Sequence, residues 1–293
     1  MVGSQNRLVA VCGITGNQGN AVARELLAKG YAVRGLTRRP DSEKAAALSR
    51  LGAEMIRCNL NNTEDVQRAL EGAWGAFGVF ASMQEGGAEQ EEKQAKRFAV
   101  IAKSAGVRHY VYSSVAAADR NTGISFFDNK ARVEGVIRSL GLPSHTILRP
   151  AFFMENFQSP WMLRELERGR LSIALKPETR VHMVAVADIG RFGCVAFEKY
   201  AELDRAAINL AGDELTMPEA AEILSEALDR RVEFSQAPMA EVRKTSPDLA
   251  VMYEWFNNVG LGVSIPEITS LYGIRPLSFR QWARKVKWPV AAR

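Results

Sequence analysis

Several things are scarce in this sequence, and each scarcity excludes a chemistry. The 293 residues hold three cysteines, Cys12, Cys58 and Cys194. They are too few and too scattered for a disulfide framework or a zinc site, and they fit a reducing, cytoplasmic compartment. The three histidines, His109, His145 and His182, lie far apart, with no H-E-x-x-H pair and no Cys/His cluster. Core or edge imidazoles are expected, and no metal site. A G-x-S-x-G elbow is missing, which sets aside the hydrolases built on one. No apolar run approaches the ~18 residues of a membrane helix. The opening MVGSQNRLVAVCG lacks a signal-peptide layout, so no membrane partner is expected.

What is present is globular. The chain is 47% apolar and 24% charged, with a net charge of +5 from 38 basic and 33 acidic residues. That excess could serve nucleic acid, an anionic cofactor or neither. Near the C-terminus Arg275, Arg280, Arg284, Lys285 and Lys287 interleave with Trp282 and Trp288. Without a helix-turn-helix or zinc-finger signature they read as a solvated basic face, so no direct nucleic-acid partner is expected.

Up to residue 150, short apolar runs alternate with helical patterns. Strands are predicted over 8–12, 31–37, 54–58, 76–80, 109–114 and 145–148. Helices are predicted over 20–29, 42–51, 63–70, 90–105 and 130–140. Gly30, Gly52, Gly72, Gly106 and Gly141 stand where helices should stop. This rhythm implies right-handed βαβ units: an α/β fold with a Rossmann-type, doubly wound parallel sheet over 1–150. Residues 151–293 are irregular and mostly helical, and are expected to form a smaller substrate or partner lobe, some of whose segments return to the sheet. Short strands are expected at 171–174, 181–186, 207–210 and 232–235. Thr216 with Glu219, and Ser278 with Gln281, have the spacing of capping boxes.

The sharpest local feature is Gly13-Ile14-Thr15-Gly16-Asn17-Gln18-Gly19, which follows the first strand and opens a helix. Glycines there permit a tight turn, close approach of backbone to a pyrophosphate, and close packing of helix on strand. Free N–H groups at the helix start suit phosphate, and Thr15, Asn17 and Gln18 can add donors. The spacing is G-x-x-G-x-x-G rather than G-x-G-x-x-G. An NAD site usually places an acid about 20 residues further on, at the end of the second strand. Here no acid occurs from Leu26 to Pro40, and Arg38 and Arg39 end the segment, with Lys44 beyond. A guanidinium fork suits a 2′-phosphate, so NADP(H) is expected over NAD(H).

These residues give the chain its resemblance to the NmrA-like family, atypical members of the short-chain dehydrogenase/reductase superfamily. The resemblance is carried by VCGITGNQGNAVARELL (11–27), VRGLTRRPDSEKAAAL (33–48), GVRHYVYSSVAAADRNTG (106–123), FFDNKARVE (126–134), ILRPAFFMENF (147–157), VAVADIGRF (184–192) and INLAGDELTMPEAAEILSEAL (208–228). It implies a Rossmann domain with a small C-terminal lobe and NADP(H) between them. It implies cofactor contacts from Gly13, Thr15, Gly16, Asn17, Gln18, Gly19 and Arg38. Ala81 and Ser82 would pass beneath the adenosine half. Asn59-Leu60 stands where the family usually has Asp-Leu.

Mainstream members of the superfamily use Ser, Tyr and Lys, the last two in a Tyr-x-x-x-Lys spacing that puts both on one helix face. In this chain Lys130 is present, but Phe126 stands four residues earlier and has no proton to give. Ser113 and Ser114 end the fifth strand. Three roles stand open for Lys130: ribose binding, proton transfer with Ser114 or a water, or a surface pair with Glu134. Isoflavone-reductase-like and triphenylmethane-reductase-like relatives also lack the usual tyrosine, and the second role is implied by the former group, in which a lysine at this place acts in proton transfer. After the sixth strand come Phe152, Phe153, Met154 and Asn156, which, with Phe126, would line a pocket for a flat, apolar substrate; the aromatics could equally cement the lobe. Arg149 reads as a buried structural arginine.

Two functions follow. One is an NADP(H)-binding redox sensor or regulator acting through a protein partner. The other is an NADPH-dependent reductase of an aromatic, quinone or imine-like small molecule using Lys130.

Overall fold

The computed structural model describes residues 7–81 and 86–289. The first half alternates as expected: β1 (Leu8–Cys12), α1 (Asn17–Ala28), β2 (Ala32–Thr37), α2 (Glu43–Ser49), β3 (Glu54–Arg57), α3 (Thr63–Leu70), β4 (Gly75–Gly78), α4 (Gly87–Ser104), β5 (His109–Ser113), α5 (Ser125–Ser139) and β6 (His145–Pro150). Then follow β7 (Phe152–Phe153), α6 (Pro160–Glu167), β8 (Arg170–Ile173), β9 (Val181–Val184), α7 (Val186–Glu198), β10 (Ala207–Leu210), β11 (Asp213–Leu215), α8 (Met217–Leu228), β12 (Glu233–Gln236), α9 (Met239–Thr245), α10 (Pro247–Asn258), α11 (Ile265–Tyr272) and α12 (Phe279–Lys285).

The main sheet has the order β10-β6-β5-β4-β1-β2-β3 and is parallel. The strand order reverses between β1 and β4, the switch point at which open α/β sheets bind ligands. Every residue of β4, β5 and β6 is buried. Helices on both faces make the strands near-continuous apolar runs instead of alternating ones. On one face α3, α4 and α5 share a cluster that includes Val66, Leu70, Phe98, Ala102, Val133, Ile137 and the β5 rings of Tyr110 and Tyr112. The five helix-ending glycines all have positive φ, between 64° and 102°. Helix α5 starts at Ser125, five residues before its predicted start. Phe126 and Lys130 therefore stand one turn apart on the same helix.

The chain forms two compact units. The first takes residues up to Asp119, Phe126–Arg149 and Ile189–Ile208. The second takes Arg120–Ser125, Pro150–Asp188 and the chain from Asn209. Within the second unit, β9 lies between β7 and β11, and β8 pairs with β12. Strands β7 and β11 were not expected: at two and three residues they are too short to show a period. Both capping boxes form with both of their hydrogen bonds. Phe279 sits 4.9 Å from Phe157 and 5.3 Å from Trp282, ring centre to ring centre. Asp188 Oδ2 accepts the Leu277 N–H at 2.7 Å, and Asp213 Oδ2 accepts that of Phe279 at 2.8 Å. These carboxylates tie the last helix down through its backbone.

The three cysteines are free and buried. Burial pushes the thiol of Cys58 up to about 11 and that of Cys194 to about 12, which keeps both protonated. No helix among the described residues is long and apolar enough to cross a membrane. All three histidines are buried.

His109 gives a testable consequence. Burial pushes its pKa down from 6.5 to about 4, and Nδ1 lies 2.9 Å from Ser144 Oγ. Below about pH 6.5 the unfolded chain takes up a proton that the folded chain refuses, so this stability is present at neutral pH and is lost as pH falls toward 4. Moving from pH 7 to pH 5 should cost about 2 kcal/mol through His109 alone. Urea unfolding at the two pH values checks this, and His109→Asn should flatten the difference.

Candidate cofactor site

The glycine loop is built as a cradle. Gly13 has φ +66°, and its carbonyl accepts the Gly16 N–H at 2.9 Å, closing the turn. Gly16 is the N-cap of α1 with extended backbone, and no side chain caps the helix. Its carbonyl accepts the Asn20 N–H at 3.0 Å, so the N–H groups of Asn17, Gln18 and Gly19 precede the intrahelical ladder. No acid stands in the first turn to compete for them. A Cβ on Gly19 would lie 2.3 Å from the Gly13 carbonyl oxygen, so only glycine lets α1 start this close to β1. Thr15 and Gln18 are half-buried and Asn17 is exposed. Gln18 Oε1 accepts the Ser113 hydroxyl at 2.6 Å, which ties the loop to the end of β5. Sequence reading missed that contact because 95 residues separate the two partners. Such a loop can bind an oxyanion through backbone donors and the helix dipole.

At the end of β2, Arg38, Arg39 and Lys44 are all exposed. Thr37 Oγ1 accepts the Arg39 N–H at 3.2 Å, and the Arg39 carbonyl accepts the Ser42 N–H at 3.2 Å, which shapes the turn. Arg57, which the sequence reading did not single out, joins them. It donates to the Arg38 carbonyl at 3.3 Å and pairs with Asp41 at 3.2 Å. The register Thr37↔Arg57 brings it there, and register is what a sequence pattern alone does not reveal. Asn59 Oδ1 accepts the Asn61 N–H at 3.0 Å, a local turn bond. Ala81 is exposed just beyond β4, whereas Ser82 lies outside the described residues.

The candidate catalytic residues have other commitments. Ser114 is buried and donates to Glu134 Oε1 at 2.6 Å. Glu134 also accepts from Arg149 Nε at 2.9 Å, from Arg149 Nη2 at 2.6 Å and from Arg138 at 2.8 Å. Arg149 in turn reaches Asp119 at 2.5 Å. Burial opposes its charge, but the bonds and charges of Glu134 and Asp119 outweigh this and hold its pKa above the usual value. Arg149 is thus the buried structural arginine expected. The surface pair between Lys130 and Glu134 is corrected: Lys130 is largely buried and pairs with Glu91, while Glu134 is taken up by the arginines. The i,i+4 spacing was right, but Arg149 on β6 offers Glu134 a two-pronged fork that a lysine cannot match. The Phe126 ring packs edge-on against Phe127, 5.2 Å between centres, and α5 contains no tyrosine. Tyr110 and Tyr112 on β5 are fully buried, and burial drives their pKa values far up, so neither is poised to give a proton.

In the second unit, Phe152, Phe153 and Asn156 are half-buried and Met154 is fully buried. Phe157 packs between Phe152, at 6.0 Å, and Phe279, as a core residue would. Glu155 was overlooked. It accepts the Val186 N–H at 3.0 Å and the Trp282 indole N–H at 3.0 Å, and burial raises its pKa. Glu134 offers the sharpest stability test. Glu134→Gln leaves the buried Arg149 guanidinium short of its countercharge and should destabilise the chain by about 3 kcal/mol or more. Glu134→Gln combined with Arg149→Met should cost less than the single change in urea unfolding.

Comparison with known proteins follows the same lines. The profile of the NmrA-like family matches residues 5–278. The NmrA-like family domain-containing oxidoreductase malD of Malbranchea aurantiaca is 35% identical over 206 residues, covering 62% of this chain and 61% of that protein. The chain spans about half to three fifths of the length of the curated relatives of this kind. Among solved structures, the negative transcriptional regulator NmrA in complex with NADP aligns with a TM-score of 0.82 at 22% identity, covering 98% of this chain and 97% of that one. The Citrobacter sp. triphenylmethane reductase complexed with NADP(H) aligns with a TM-score of 0.78 at 21% identity, covering 94% and 98%. At these identities the structures speak for the fold. The family profile, running over nearly the whole chain, shows that this protein belongs to the NmrA-like family.

Proposed function

We propose that the chain binds NADP(H) and serves as a reader of its redox state, acting through a protein partner. The observation that carries the binding half is the Gly13–Gly19 cradle, whose helix start would admit no Cβ at Gly19. In this reading the backbone of Gly13, Gly16 and Gly19, with Thr15, Asn17 and Gln18, holds the pyrophosphate. Arg38, Arg39 and Lys44 face the 2′-phosphate, Ala81 underlies the adenosine, and Lys130 serves the nicotinamide ribose. Bound reduced nicotinamide supplies a hydride. The chain's own residues offer little to accompany it: position 126 is a phenylalanine, and the Ser114 proton is committed to Glu134. That favours binding without turnover.

A second reading, an NADPH-dependent reductase, is supported by relatives named oxidoreductases and by likeness to the fold of a triphenylmethane reductase. Phe126 would then face the acceptor. A hydride acceptor that is already cationic or iminium-like fits this chain best, because it needs no proton from position 126.

Titration of the purified chain with NADPH and NADH tests the first part. NADPH should bind more tightly, and Arg38→Ala should weaken NADPH about 10- to 100-fold while leaving NADH nearly unchanged. Equal affinity for the two cofactors would overturn the NADP assignment. Following reduced-cofactor absorbance with quinones, iminium ions and a triarylmethyl dye decides between the readings: tight binding without consumption is expected of a sensor, and consumption identifies a reductase.

A further inference from the structure

Lys130 is held from a helix other than its own. Glu91 sits one turn into α4, and its side chain is only 2% exposed. Its Oε1 forms an ion pair with Lys130 Nζ. Its Oε2 is buried and has no hydrogen-bond partner among the described residues. The Lys130 side chain is 14% exposed, and its Nζ lies 5.8 Å from the centre of the Tyr112 ring. The Tyr112 hydroxyl is also buried and unpartnered among the described residues. Elements α4, α5 and β5 therefore converge on one ammonium group.

The neighbouring residue shows what a purely structural acid looks like at this seam. Glu92 pairs with Lys96 on its own helix at 2.6 Å and with Arg132 on α5 at 2.7 Å. That set already clips α4 to α5, with the Arg132 side chain half exposed. A second carboxylate, buried beside it with one oxygen empty, adds desolvation without being needed as a clip. What Glu91 does provide is an ion-pair partner on a neighbouring helix, and with it a fixed direction for the flexible lysine stem. In a Tyr-x-x-x-Lys arrangement the lysine would have a hydroxyl one turn away. Phe126 offers none.

We propose that Glu91 is the positioning residue of Lys130, holding its side chain by the ion pair in the direction that serves the nicotinamide ribose, in place of the partner lost at position 126. The proposal rests on the assignment of Lys130 to the ribose made above.

Calorimetric titration of the full chain with two ligands separates the claims. NADPH carries the nicotinamide ribose. 2′,5′-ADP carries the 2′-phosphate but no nicotinamide ribose. Lys130→Ala should weaken NADPH about tenfold and leave 2′,5′-ADP unchanged. If it leaves both unchanged, the ribose assignment fails, and the positioning role with it. Glu91→Gln keeps the shape but not the charge, and should weaken NADPH about three- to tenfold with 2′,5′-ADP unchanged. Glu91→Asp, which keeps the charge, should recover part of that loss. In the Lys130→Ala background, Glu91→Gln should add nothing further. If Glu91→Gln binds NADPH like the parent while Lys130→Ala does not, the positioning role is overturned and the ribose assignment stands. Equal weakening of both ligands by Glu91→Gln marks a general structural role and also overturns the proposal.

Discussion

The glycine-loop end of the first unit depends on one close approach, the start of helix α1 against the carbonyl of Gly13. A Cβ at Gly19 would intrude to 2.3 Å of that oxygen, and the Gly16 N–H closes the same turn from the other side. The constraint aims an uncapped helix start past the end of β1, at the switch point of the sheet. The neighbouring strands take their places from it. Ile14, fully buried in the loop, sits where a Cβ on Gly35 of β2 would lie 2.3 Å from its Cδ1. Gln18 reaches across to Ser113 at the end of β5. Loop, β2 and β5 are thus held as one rigid frame, which is what a site made largely of backbone donors requires.

Around this frame the buried charges sort into two kinds. Glu134 is saturated: two bonds from Arg149, one from Arg138 and one from Ser114 fill its acceptors, and Arg149 reaches on to Asp119. Such a network fixes β5, β6 and α5 to one another and leaves its members little freedom for chemistry. Glu91 is the opposite case, with one oxygen on Lys130 and the other unpaired among the described residues. Natural interiors rarely leave a carboxylate so, and where they do, a functional constraint is a common reason. The two serines ending β5 divide in the same way. Ser113 steadies the glycine loop, while Ser114 belongs to the ion network.

Much of this was legible in the sequence because it is local. Six strands of the main sheet, the glycine stops and both capping boxes follow from spacing within a few residues. Even Ala207–Leu210, far from the other strands, was readable as a strand. The short β7 and β11 were not, because two or three residues carry no period. Helix α5 was placed too late because Ser125 and the two phenylalanines after it gave no start signal of their own. At the site, the glycine loop and the acid-free end of β2 could be read directly. Arg57 could not, since its place beside Arg38 comes from strand register. Glu91, Glu134 and Glu155 could not either, since an acid on a helix looks alike whether it faces water or a buried arginine.

The sequence by itself therefore determined the parallel α/β architecture, the place of the glycine loop and the absence of a tyrosine at position 126. Periodicity, glycine and residue identity act over short stretches of chain, and these features need nothing more. The tertiary structure alone decided which charges meet. It gave Glu134 to Arg149 rather than to Lys130, gave Lys130 to Glu91, and gave the Ser114 hydroxyl to Glu134. Ion pairing in an interior depends on which side chains lose their water together, and only the packing of α4, α5, β5 and β6 settles that.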